Sequence, residues 1–144
     1  MFHIHGWNIF FTLLFALLVG AGFFYLGMLE RIPVWISVFD FILLALASMR
    51  LVRLVAYDSI TTFVREGLEG HAKHSFMGTL YTLMTCPWCL GLWSGFMVSF
   101  FYFLTPYAWF FIVGLAVAAV ASVLQIFVNW IGWNAERAKQ EVQK

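Results

Sequence analysis

The sequence predicts an all-α integral membrane fold with four transmembrane helices, and three observations predict it. Of its 144 residues, 63% are hydrophobic and only 10% charged, and the mean hydropathy is +0.90. A soluble domain carries about 45–50% apolar and about 25% charged residues, so a fold of this size cannot hide so much apolar surface and lipid must cover part of it. Long uncharged apolar runs recur along the chain, and its polar residues collect in one loop, short turns and a C-terminal tail. The length suits a single membrane domain spanning residues 1–144.

The first apolar run covers residues 7–29 without a charge. At 1.5 Å per residue it reaches about 34 Å, enough to cross a hydrocarbon core of about 30 Å. It is too long for a signal h-region and lacks a basic n-region, so it reads as a mature helix. Glu30, Arg31 and Pro33 form a turn. The second helix is expected over residues 34–54, with Asp40 inside it and Arg50 and Arg53 snorkelling to the headgroups. Residues 58–85 read as an interfacial segment, its polar part carrying Asp58, Ser59, Thr61, Arg65, Glu66, His71, Lys73 and His74. Ser59 or Asp58 is placed to cap a short helix ending at Gly67 or Gly70. Pro87 fits the first position of a third helix, over residues 87–104, with residues 76–85 as a preceding helical segment. Thr105-Pro106-Tyr107 turns the chain into a fourth helix over residues 108–133, anchored by Trp109, Trp130 and Trp133. The polar tail covers residues 134–144.

Lys and Arg set the expected orientation. Arg50, Arg53, Arg65 and Lys73, together with Arg137, Lys139 and Lys144 of the tail, lie on one side of a four-crossing topology, and Arg31 lies on the other. The positive-inside rule then places both termini and the polar loop in the cytoplasm of a bacterial inner membrane. Net charge is +1 with no long basic run, which gives no nucleic-acid footprint. The bilayer is the expected partner, with a second copy or another membrane protein as further candidates. No cofactor is implied.

Small residues predict packing. Gly91, Gly95 and Ser99 on the third helix match Gly114, Ala118 and Ser122 on the fourth in depth from the turn, as an antiparallel hairpin would require. Gln125 and Asn129 continue that face and are expected to hydrogen-bond backbone freed near Cys86. Asp40 is either a functional intramembrane carboxylate or an acid near the outer interface, and we favour the interface.

Cys86-Pro87-Trp88-Cys89 is the most specific local feature. Both thiols fall in the first turn of a helix, where the positive end of the dipole favours thiolate. Three readings follow. One is a redox dithiol, against which stands the lack of a second cysteine pair. Another is a metal site completed by His71 and His74. The third is a structural role, with both cysteines packing the helix start beside Trp88 and Trp93, and we adopt it, so no metal ligand is assigned.

The stretch from Arg50 to Thr61, then Arg65-Glu66, then Cys86-Pro87-Trp88-Cys89-Leu90-Gly91-Leu92-Trp93 resembles a family of small bacterial and phage membrane proteins of unknown function. That family includes a Bacillus sporulation-associated member, and its pattern is of the type R-L-x-x-D-x-I-T-x-x-x-R-E followed by C-P-x-C-x-G-x-W. The resemblance covers about residues 50–93 and carries no activity with it. It implies that Arg53, Asp58, Thr61, Arg65, Cys86, Pro87, Cys89, Gly91 and Trp93 matter. Arg53 and Asp58 are expected to pair around the end of the second helix, and Thr61 and Arg65 to share a helical face. No Ser-His-Asp set, nucleotide loop or carboxylate-rich metal site is visible. The functional expectation is a non-enzymatic scaffold or assembly partner in a bacterial or phage-infected membrane. The alternatives are a phage holin-like pore former and a thiol-redox or metal protein using the cysteine pair.

Overall fold

The computed structural model describes residues 2–32, 35–70 and 75–142. The described chain is helical throughout: α1 (Phe2–Met28), α2 (Val38–Ala56), a 3-10 turn (Ser59–Thr61), α3 (Thr62–Gly70), α4 (Ser75–Thr85), α5 (Pro87–Leu104) and α6 (Ala108–Val142). His71 and His74 lie outside the described residues, as do Pro33 and Val34.

Among the described residues, three helices are long and apolar enough to cross a membrane, not four: Gly6–Met28, Pro87–Leu104 and Ala108–Glu141. α2 is not among them because it holds Asp40, Arg50 and Arg53 within 19 residues. Three charges so close together are costly against hydrocarbon. One face of α2 is covered with protein. Leu43, Leu44 and Ala47 form a core with Val98 of α5 and with Ala108, Ile112 and Ala116 of α6. α2 is thus the shared surface on which α5 and α6 pack.

The neighbours fix directions. Ser48 and Ser94 share a hydroxyl hydrogen bond at 3.0 Å, and Asp40 lies within hydrogen-bonding reach of Tyr102, so α2 and α5 run antiparallel. Trp7 meets Phe76, and Phe15 meets Trp93 and Phe96. Gly22 lies under Phe96 and Phe100, so near that an added Cβ would stand 3.2 Å from each ring. α1 therefore runs parallel to α5.

The expected pairing of α5 with α6 through glycines is corrected. A Cβ added at Gly91 or Gly114 would meet nothing within 4 Å, and one added at Gly95 would face Ser48 Oγ of α2 at 3.7 Å. Ser122 turns its hydroxyl to Ala118 O at 2.8 Å within its own helix. α6 binds α2 through another face, on which Ala108, Ile112, Ala116 and Ala119 are buried. Matching depth from a turn does not fix which way each small residue points, and here they point elsewhere.

α1 ends in a Schellman turn. Arg31 N–H donates to Leu26 O at 3.0 Å and Glu30 N–H to Gly27 O at 3.1 Å, with Glu30 at φ 53°. A side chain at this left-handed position costs about 1–2 kcal/mol relative to glycine. Arg31 then donates from Nη1 to Leu104 O, closing the C-terminus of α5.

Two outcomes follow. Glu30→Gly should raise unfolding stability in detergent by about 1 kcal/mol, by relieving the positive φ. Gly95→Leu should separate α5 from α2 and lower stability by about 1–3 kcal/mol as overpacking does, whereas Gly114→Leu should be nearly silent. Equal thermal unfolding of the two leucine variants would refute this packing.

Candidate functional site

Two constellations gather the residues singled out by sequence: a polar bracket at the C-terminus of α2, and the cysteine turn that opens α5.

The bracket exists because a helix end leaves carbonyls unpaired. Tyr57 and Asp58 N–H both donate to Arg53 O, at 2.9 and 3.0 Å. The chain then reverses through the 3-10 turn, which brings Thr61 back over the helix end. Its hydroxyl lies 2.8 Å from Leu54 O, 3.0 Å from Val55 O and 3.1 Å from Asp58 O. Arg65, one turn further on the same face, donates from Nη1 to Val55 O at 2.9 Å and to Thr61 Oγ1 at 3.1 Å. Its Nη2 donates to Asp58 O at 3.2 Å and Thr62 Oγ1 at 3.1 Å. One half-buried guanidinium thus closes three segments, and its positive charge stands at the negative end of the α2 dipole.

The expected Arg53–Asp58 pair is corrected: Asp58 Oδ2 pairs with Arg50 Nη2 at 2.9 Å. That engagement also explains why Asp58 precedes the 3-10 turn without a side-chain cap bond. Arg53 Nε is buried with no hydrogen-bond partner among the described residues. Sequence reasoning missed Arg50 as the ionic partner and Arg31 as a helix cap. Their signal was position: each is a basic residue beside a helix end followed by a reversal.

At the second constellation Cys86 is the N-cap of α5 and Pro87 its first residue. Pro87 has no N–H to leave unpaired there. Cys86 Sγ accepts from Cys89 N–H at 3.4 Å, and Cys86 N–H itself donates to Thr82 O at 3.0 Å. The hydrogen bond from the Cys89 thiol lowers the Cys86 pKa below that of an ordinary cysteine. The Cys89 backbone N–H acts in the same direction, and burial opposes both. Both thiols are free, with Cys86 half-buried and Cys89 exposed. Trp88 does not pack over them, being 87% exposed, while Trp93 lies against Phe15 at 5.1 Å. Among the described residues, no group of three His, Cys, Asp or Glu stands close enough to hold a metal.

Gln125 and Asn129 do not reach Cys86 as expected: Gln125 Nε2 donates to Asn129 Oδ1 at 3.1 Å, on an exposed face of α6. Asp40 likewise stands apart from both constellations, beside Tyr102 near the C-terminus of α5.

With the geometry in place, comparisons place the chain. Residues 66–128 match a family described as a protein of unknown function, DUF1360. The UPF0713 protein YngL of Bacillus subtilis (strain 168) is 30% identical over 106 residues, which make up 65% of this chain and 82% of that relative. The chain belongs to this family. The matched residues 66–128 contain the cysteine turn, while Arg53, Asp58, Thr61 and Arg65 precede them. No solved structure matches the chain.

Arg65→Met should lower stability by about 1.5–3 kcal/mol, the scale of hydrogen bonds to a charged group. Arg50→Met should cost about 1 kcal/mol, on the scale of an ion pair still reached by solvent. Equal losses in denaturant titration would show that the ion pair, not the cap, holds the reversal. For the thiols, alkylation of Cys86 should reach half its maximal rate at a lower pH than for an ordinary cysteine. Cys89→Ala should move that midpoint upward, because the hydrogen bond from the Cys89 thiol favours the Cys86 thiolate.

Proposed function

We propose that this chain is a non-enzymatic, multi-pass scaffold or assembly partner of a bacterial cytoplasmic membrane, or of the host membrane where phage-encoded. The observation that carries the reading is α6. Among its described residues none beyond Ala119 is buried, yet the helix continues to Val142. That exposed half holds Leu124, Phe127, Val128 and Trp130 around the Gln125–Asn129 pair. Amides on a membrane helix gain from partners on a neighbouring helix, so a long face with no buried residue among those described suits a protein partner.

The orientation belongs to the same proposal. α2 runs antiparallel to α5, packed on it through one face, and so returns the chain to the end where α1 begins. The bracket arginines, the N-terminus and the tail residues Arg137 and Lys139 then share the cytoplasmic face, in keeping with the positive-inside rule. Arg31 marks the opposite face.

Single cysteines at positions 32, 70 and 140 of a cysteine-free variant test the orientation. A membrane-impermeant reagent applied to intact cells should label position 32 alone; labelling at 70 would sink it. A photo-crosslinker at Phe127 in native membranes tests the scaffold reading. It should give one discrete protein adduct, which the double change Gln125→Leu with Asn129→Leu removes. Lipid adducts alone would discard the reading, and abrupt collapse of membrane potential on induction would replace it with pore formation.

A further inference from the structure

The cysteine turn borders a groove that the scaffold reading does not use, and the activity inferred for it departs from the non-enzymatic part of that reading. It lies between α1, α4 and α5, has a volume of about 310 Å³, and is lined by Asn8, Phe11, Phe15, Thr79, Cys89 and Trp93 among others. Cavities that seat small ligands begin near this size, at about 300 Å³. The groove also sits at the first turn of an apolar span, where a ligand dissolved in the bilayer can enter.

We propose that Cys86 and Cys89 form a reversible dithiol–disulfide couple whose electron acceptor is the headgroup of a lipid-soluble quinone held in this groove. Three observations converge on it. Both thiols are free and lie within one helical turn, and Cys86 Sγ already accepts the Cys89 N–H. Cys89 stands on the groove wall itself. The remaining wall suits a planar ring with two carbonyl oxygens: Phe11, Phe15 and Trp93 offer aromatic surfaces for stacking, and the Asn8 amide offers a donor. The neighbouring hydroxyls of Thr12 and Thr82 donate to Asn8 O and Gly78 O, while the Asn8 amide and the Trp93 indole N–H are the donor groups placed on the wall.

The chemistry balances as a two-electron exchange. A bond forms between the two sulfurs as the thiols give up two electrons and two protons. The quinone takes up both and becomes the quinol, each carbonyl oxygen gaining a proton. The chain has two cysteines, so the electrons that restore the dithiol come from the thiol pair of another protein. A thiolate of that pair attacks the Cys86–Cys89 disulfide, a mixed disulfide forms, and the partner's second thiol displaces it. The partner leaves oxidised and the dithiol is regenerated.

The test uses the full chain, reduced and held in lipid nanodiscs, with a decyl-substituted benzoquinone as probe. Loss of both thiols with formation of one quinol per chain, reversed by dithiothreitol, is the expected result. Cys86→Ser and Cys89→Ser should each abolish quinol formation. Asn8→Leu should slow quinone-dependent oxidation by about tenfold, the factor that one hydrogen bond of about 1.4 kcal/mol is worth. The same variant should still close the disulfide with diamide at the wild-type rate. Four outcomes overturn the proposal: free thiols after quinone treatment, failure of diamide to close the disulfide, an unchanged quinone rate in Asn8→Leu, or a stoichiometric metal on the thiols.

Discussion

The guanidinium of Arg65 over the end of α2 is the interaction on which the rest of the structure depends. A helix that stops beside a membrane leaves its last carbonyls facing too little water to satisfy them. Thr61 and Arg65 meet that need by folding the next segment back over the helix end. The reversal sets where α3 and α4 lie, and α4 delivers the chain to Pro87, where α5 begins. Displacing the cap would therefore disturb the path into α5 as well as the end of α2. Arg31 serves α5 in the same way at the opposite end. The same chemistry thus closes two helix ends on opposite faces, through side chains that sequence alone presents merely as basic residues near turns.

The placement of charge within α2 is the second determinant. Leu43, Leu44 and Ala47 make a surface that two other helices cover, while Asp40 meets Tyr102 at one end and Arg50 meets Asp58 at the other. The charges stand at the two ends of the helix, each beside a polar partner or a helix end, while Phe41 and Ile42 of its middle stay exposed. α1, α5 and α6 are the helices long and apolar enough to cross a membrane, and α2 adds the exposed apolar side chains of Phe39, Phe41 and Ile42.

The helical class was legible in the sequence because long uncharged runs admit almost no other solution in a bilayer. The start of α5 was readable from one residue, since Pro87 suits the first position of a helix and no later one. Helix partners were not readable in the same way. Gly95 and Gly114 sit at matching depths from Pro106, but depth leaves the rotation of each helix free, and the rotation gives Gly95 to Ser48 and leaves Gly114 open. In the bracket, Arg50 and Arg53 differ by three residues on one helix, and either reaches its end. The 3-10 turn decides between them, and its path depends on contacts made by Thr61 and Arg65 that no local pattern encodes. The cysteine turn was visible as a motif, but the groove beside it was not, because its walls come from α1 and α4, far away in the chain.

The cap from Arg31 to Leu104 carries a consequence for how the protein is made. Donor and acceptor are 73 positions apart, so at about 5–20 residues per second a ribosome finishes the acceptor roughly 4–15 s after the donor. Throughout that interval a charged guanidinium at the far end of the first span waits without its eventual carbonyl, and water or headgroup phosphates must hold it. Emergence of residue 104 releases those substitutes and ties the beginning of the nascent chain to its later half. The end of α1 thus gains this cap only after α5 has been made, so the order of synthesis sets the order in which the two helix ends are joined.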